Sequence, residues 1–251
     1  MSTRLYCFPH AGATSVAYRP WKALENDRLT VVPVDQPGRG TRRRETRTDD
    51  FRELVASTAA FVADDLRRAR ATDPGARWAT FGHSFGATLS LAVAAAAERA
   101  LGEAPVRAFL SAALPPGLQK PDDTDALSDG QLLEKIAGDG GTAPELLSNG
   151  AMSAFLVRLM REDYVVRRQF PAEAGGLCVG FPLTLIAARD DAYVTPAQMW
   201  QWGGHSTADA RRVEIDGGHF AAVQDPAAVM AIVGGDIAGI GDIGVIGEGE
   251  R

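Results

Sequence analysis

A serine stands between two glycines in Gly82-His83-Ser84-Phe85-Gly86, where an apolar run gives way to a long alanine-rich helical pattern. A serine hydroxyl is a poor nucleophile unless it is exposed and held against a base. A sharp strand-to-helix turn does both, at the cost of a strained backbone. The flanking glycines suit such a turn, because neighbouring backbone comes too close for side chains. The helix behind Ser84 also aims its first amides at negative charge developing there. These residues predict an activated serine for acyl transfer.

Such a serine needs a histidine, and the chain has four. On a turn of this type the partners follow in the order Ser, then Asp or Glu, then His, which removes His10 and His83. His205 lies in the polar loop Gly203-Gly204-His205-Ser206-Thr207 with no strand end to hold it. His219 follows the run Arg211–Ile215 through Asp216-Gly217-Gly218 and opens a helical segment, so a strand end can carry its imidazole to Ser84. The acid should close the preceding strand run, Leu183–Ala188, which leads into Arg189-Asp190-Asp191. The run ending at Leu114 leads instead into Pro115-Pro116-Gly117, with no carboxylate. Adjacent side chains at a strand end point in different directions, so only one of Asp190 and Asp191 can reach His219, and spacing does not choose between them. Two amides are expected to hold the oxyanion: that of Phe85, and one from the small-residue turn Pro9–Ala13.

The elements that must position these residues are short apolar runs alternating with helical patterns. Strands are predicted at Arg4–Phe8, Leu29–Val34, Arg77–Phe81, Ala108–Leu114, Leu183–Ala188 and Arg211–Ile215. Several are continuously apolar, as strands covered on both faces are. A helix begins near Asp50 with Glu53 as its capping pair, burying Phe51, Leu54, Val55 and Val62. Another runs from Ser84 to about Ala100. This alternation predicts an α/β domain over residues 1–233, with a mostly parallel sheet flanked by helices. Between 115 and 182 strands give way to two helical patterns, Ser128–Ala137 and Ala151–Phe170. The second places Leu156, Leu159, Met160 and Tyr164 on one face. Such an insertion is expected to form a helical lid over the strand ends. Leu156, Leu159 and Met160 are then candidates to face the substrate, or else form the lid's own core.

The remaining tail, 234–251, holds seven glycines in 18 residues and is expected to be flexible. It contains a Gly-x-Gly-x-x-Gly at 239–244, but a dinucleotide site needs a strand before that motif and a helix with an acid after it. The other bounds come from composition. Apolar residues make up 45% and charged residues 23% of the 251, ordinary globular usage. The net charge of -6 argues against nucleic acid as a partner. The longest apolar stretch, Leu89–Ala97, is far short of a membrane span. The first residues lead into a strand with no signal-type apolar segment, so a cytoplasmic protein is expected. Cys7 and Cys178 have no metal-type spacing and are read as reduced thiols, with Cys7 buried.

Taken together, these residues resemble the type II (external) thioesterases that accompany polyketide synthases and nonribosomal peptide synthetases, which are α/β-hydrolases. They are similar also to the medium-chain thioesterase of fatty acid synthesis. Phe8-Pro9-His10-Ala11-Gly12, Pro37-Gly38-Arg39-Gly40, the serine turn, Asp190-Asp191 and Gly217-Gly218-His219-Phe220 carry the resemblance. It implies Ser84 as nucleophile, His219 as base and Asp191 as acid, with Ala11 and Phe85 donating the oxyanion amides. It implies hydrolysis of acyl thioesters from the phosphopantetheine arm of an acyl or peptidyl carrier protein, by a monomer without metal or cofactor. A general carboxylesterase, and a non-catalytic carrier-binding protein on the same fold, are the alternatives. Carrier proteins are acidic, so the basic run Arg39, Arg42, Arg43, Arg44 and Arg47 is expected to steer them.

Overall fold

In the computed structural model, which describes residues 2–120, 124–142 and 144–242, the six apolar runs form one parallel sheet. Its strands are β1 (Thr3–Phe8), β2 (Leu29–Pro33), β3 (Arg77–His83), β4 (Ala108–Ser111), β5 (Leu183–Ala188) and β6 (Ala210–Ile215), in the order β2-β1-β3-β4-β5-β6. The helices are α1 (Arg19–Lys22), α2 (Phe51–Arg70), α3 (Phe85–Leu101), α4 (Asp129–Asp139), α5 (Pro144–Leu147), α6 (Gly150–Arg167), α7 (Phe170–Ala174), α8 (Pro196–Met199), α9 (Ala221–Gln224) and α10 (Pro226–Asp242).

The continuous apolar runs are explained by a core on each face. Tyr6, Phe8, Trp78, Leu110 and Leu185 pack with α2 and α3 residues such as Leu54, Val62 and Leu89. Leu5, Cys7, Ala79, Phe81 and Phe109 point the other way, onto Trp21 of α1 and Val229, Met230 and Val233 of α10. The strand period of two sends alternate residues into these two cores. A third, smaller cluster lies within the helical insertion and joins Leu132 and Ile136 of α4 to Val157, Met160 and Tyr164 of α6.

Most element ends differ from the sequence reading by one to three residues, α6 for instance stopping at Arg167, and three differences are informative. Strand β3 runs on to His83 and so delivers Ser84 at its tip. Strand β4 stops at Ser111, because Ala112 takes a left-handed φ of 52° and turns the chain. Helix α10 continues through Gly234 and Gly235 to Asp242, so those glycines do not begin the tail; the expected tail from 243 onward lies outside the described residues. At the start of α2 the Asp50 side chain accepts from the Glu53 amide at 2.9 Å, but the Glu53 carboxylate is taken by the Thr48 hydroxyl at 2.7 Å and does not close the cap. Cys7 is buried and Cys178 exposed, both free.

The chain passes from β1 out to β2 and returns on the other side of β1 as β3, so β1 and β3 flank the point where strand order reverses. Ligands of open parallel sheets bind beyond the carboxyl ends of strands at such a point. Here the end of β1 and the start of α3 are in backbone contact. A Cβ on Gly86 would stand 2.1 Å from the Phe8 carbonyl oxygen and 2.5 Å from that of Pro9, and one on Gly82 would stand 2.2 Å from the Gly86 carbonyl oxygen. No side-chain motion relieves a clash with backbone. Gly86→Ala is expected to lower unfolding stability by at least about 2 kcal/mol, read as a reduced urea midpoint; an unchanged midpoint would refute the close approach.

Candidate active site

Ser84 has φ 55° and ψ -121° between β3 and α3. Its amide donates to the Ser111 carbonyl at 2.9 Å and its carbonyl accepts from Ala87 at 2.9 Å. Among the described residues, Ser84 and Ala112 are the two non-glycine positions with positive φ, and both line one cavity of about 360 Å³. Strain of this kind persists where surrounding structure over-determines it, and it gathers at functional sites.

His219 faces the same cavity from the loop after β6. Its Nδ1 lies 2.9 Å from Asp191 Oδ2. The other oxygen of Asp191 accepts the amides of Tyr193 at 2.8 Å and Val194 at 3.0 Å, and the carboxylate has no exposure to solvent. Asp190 is exposed. The choice that spacing left open is therefore made by the loop after β5, which folds Asp191 inward on two of its own amides. An ionised carboxylate only accepts, so this contact holds the proton of His219 on Nδ1 and leaves Nε2 as the free lone pair.

Ala11 and Phe85 line the cavity beside Ser84. The turn after β1 is closed by the Ala13 amide on the His10 carbonyl at 3.2 Å. The Gly12 amide is held at 2.8 Å by the carboxylate of Asp163 on α6. The amides of Ala11 and Phe85 thus come from the two segments that touch at Gly86.

Residues 3–236 match the Thioesterase domain family. The chain belongs to the thioesterase family. Among curated relatives, this thioesterase is 27% identical over 91% of its length to a Brevibacillus parabrevis protein named linear gramicidin dehydrogenase LgrE, covering 85% of it. It is 30% identical over 67% of its length to the medium-chain S-acyl fatty acid synthase thioesterase of Anas platyrhynchos, covering 65% of that protein. Among solved structures, RedJ, the thioesterase from the prodiginine biosynthetic pathway of Streptomyces coelicolor, superposes with a TM-score of 0.75 at 31% identity, over 93% of this chain and 90% of RedJ. The fold is that of the α/β-hydrolase thioesterases. The dehydrogenase name finds no counterpart in this chain's glycine motif. Its first residues, from Gly239, lie within α10 rather than at a strand-to-helix turn, and 243 and 244 lie outside the described residues. Among the described residues no helix is long and apolar enough to cross a membrane.

Two features of the thioesterase escaped the sequence reading. Chain order removes His10 and His83 as the base, yet the structure packs His83 against His219 and His10 against His83: the His83 ring centre is 5.2 Å from that of His219 and 6.0 Å from that of His10. The basic run also divides. Arg39 is buried against Asp163 (2.9 Å) and Glu162 (3.3 Å), and Arg42 against Glu45 and Ser57. Arg39 forms an inward ion pair, and Arg42 is buried although its partner Glu45 is exposed; neither guanidinium is part of a steering surface. Arg43, Arg44 and Arg47 face solvent, Arg47 beside Asp49 and Glu162.

Burial pushes the His10 imidazole down to about 4, with the charge of His219 adding to the effect and Asp139 opposing it. His83 is likewise driven well below the usual range, first by burial and then by His219 and His10. Both are neutral in the folded enzyme at pH 7. The unfolded chain binds more protons than the folded one between about pH 6.5 and 4, so stability falls as pH drops through that window. From His10 alone the loss between pH 7 and 5 should be on the order of 2 kcal/mol. Urea unfolding at the two pH values checks it, with His10→Leu expected to flatten the slope by that amount.

Proposed function

We propose that this thioesterase hydrolyses acyl thioesters from the phosphopantetheine arms of acyl or peptidyl carrier proteins, editing or unblocking a polyketide or nonribosomal peptide synthase in the cytoplasm. The observation that carries the chemistry is the strained Ser84 facing the same cavity as the His219–Asp191 pair. Ser84 Oγ attacks the thioester carbonyl as His219 Nε2 takes its proton. The tetrahedral oxyanion is held by the Ala11 and Phe85 amides, and the imidazolium by Asp191. Collapse breaks the C–S bond and His219 returns the proton to the leaving thiolate. Water, deprotonated by the same nitrogen, then attacks the acyl-serine; the C–Oγ bond breaks, His219 returns the proton to Ser84 Oγ and the free acid leaves.

Ser84→Ala should lower kcat by on the order of 10⁶ with the urea midpoint unchanged; retention of a tenth of wild-type turnover would overturn the assignment. Asp191→Asn should cost about 10⁴, while Asp190→Asn stays within about threefold. Equal losses would count against the pairing as the catalytic one. A general carboxylesterase would turn over alkyl esters as fast as acyl-pantetheines of equal chain length, and this enzyme is expected to prefer the thioesters.

A place for the acyl chain is supported by a second cavity of about 470 Å³, lined by Leu156, Leu159 and Met160 of α6 together with Ile136 and Phe155. It meets the serine cavity at His10, Ala11, Asp139, Met160 and Phe220. The serine cavity carries Gln119, Lys120 and Lys135 on its wall and suits the polar pantetheine arm. Met160 lies at the junction, so Met160→Trp should move the optimum on an acyl-pantetheine panel toward shorter chains. An unchanged profile would make the α6 stripe packing alone.

A further inference from the structure

Asp163 lies three residues beyond Met160 on α6 and has no exposure to solvent. Its Oδ2 accepts from the Gly12 amide at 2.8 Å and from Arg39 at 2.9 Å, and its Oδ1 accepts from Gln36 Nε2 at 3.0 Å. Arg39, itself 5% exposed, reaches it from the turn Pro37–Gly40. One helical turn earlier, the Met160 methyl stands 3.1 Å from where a Cβ on Gly12 would be, and Gly12 holds a left-handed φ of 78°. The helix of the insertion therefore grips the turn after β1 twice, by a carboxylate on its amide and by a methyl group against its Cα. A carboxylate with no access to water needs partners on its oxygens, and here Arg39 and amide donors on both oxygens supply them.

We infer that Asp163 is a positioning residue of the oxyanion turn, holding the Gly12 amide so that the adjacent Ala11 amide is aimed at the reacting carbonyl oxygen. The two amides flank a single Cα, so pinning the first fixes the dihedrals that orient the second. A bare carboxylate near a forming oxyanion would oppose it; Arg39 cancels that charge, and Gln36 holds the oxygen that Arg39 does not reach. This makes α6 part of the catalytic frame as well as a cover. The inference rests on the assignment of Ser84 as nucleophile and Ala11 as an oxyanion donor.

The test is the double substitution Arg39→Leu with Asp163→Leu. Exchanging a buried ion pair for apolar side chains is often neutral for stability, but it leaves the Gly12 amide without its acceptor. The expected result is a folded protein whose urea midpoint falls because the buried Gly12 amide and Gln36 lose their acceptor, with a kcat lowered about 10- to 100-fold and a KM within about threefold. Affinity for an acyl trifluoromethyl ketone, whose hemiketal oxygen occupies the oxyanion position, should fall by the same factor as kcat. A merely structural role would not move the ketone and kcat together at constant KM. Asp163→Asn should rescue most of the loss, because its oxygen still serves Gly12 and Arg39 while Gln36 can flip to accept from its amide. A folded double variant with kcat and ketone affinity within about threefold of wild type overturns the inference, as does Asp163→Asn losing as much as the double variant. Should the double variant not fold, residue-resolved hydrogen exchange of the wild-type enzyme decides. A Gly12 amide protected at least about tenfold over an open loop supports the pin, and one less protected overturns it. Turnover that survives Ser84→Ala would instead overturn the reading beneath. An inactive Ser84→Ala beside a fully active double variant overturns this inference alone.

Discussion

The contact between the backbone of Gly86 and the carbonyls of Phe8 and Pro9 is the constraint on which the site depends. There is no room for a side chain: a Cβ at Gly86 would lie 2.1 Å from the Phe8 oxygen. Two segments that run far apart in sequence are thereby fixed at backbone distance, one ending β1 and the other opening α3. The strained turn at Ser84 and the small-residue turn at Ala11 then bound one cavity from either side. Strand order makes this arrangement available, because β1 and β3 pair in parallel register up to Phe8 and Gly82, and the glycines make it tight.

The loops beyond the strand ends have no ladder to hold them, and their amides still need acceptors. Three buried carboxylates supply them. Asp35 accepts the amides of Ser15 and Thr41 together with both hydroxyls. Asp163 accepts that of Gly12, and Asp191 those of Tyr193 and Val194. Asp35 and Asp163 tie loops to a neighbouring segment, whereas Asp191 caps its own loop and has a second oxygen left over for His219. The same device, a carboxylate capping loop amides, thus serves as scaffold at two positions and orients the imidazole at the third.

The six strands, the serine turn and the inserted helices were legible because each depends on local pattern: continuous apolar runs, glycine spacing and helical periodicity. Direction was less legible. Charge density along 39–47 says nothing about which arginines turn inward; Arg39 does so onto Asp163, and Arg42 onto Ser57 and the Asp35 carbonyl. Asp163 did leave a trace, as an acid between Met160 and Tyr164 on an otherwise apolar face, but its meaning requires the fold that brings Gly12 to it. Glycines 234 and 235 were misleading in composition. Each costs a helix about 1 kcal/mol relative to alanine, and α10 absorbs that cost by burying Val229, Met230, Val233 and Ile237 on the sheet.

The histidines show how the site manages charge. His83 and Phe220 give His219 a close-packed aromatic wall, their ring centres 5.2 and 5.1 Å from its own, and His10 packs against both of them, 6.0 Å from His83 and 4.8 Å from Phe220. Burial keeps the His10 and His83 imidazoles neutral near pH 7. Were either charged, it would oppose formation of an imidazolium at His219, which the proposed chemistry requires at each proton transfer. Neutral rings confer shape without that penalty. The charge facing Nδ1 of His219 is then the carboxylate of Asp191, shielded from solvent and fixed by two amides, so its interaction with the imidazolium is little screened and costs no reorganisation when the proton arrives.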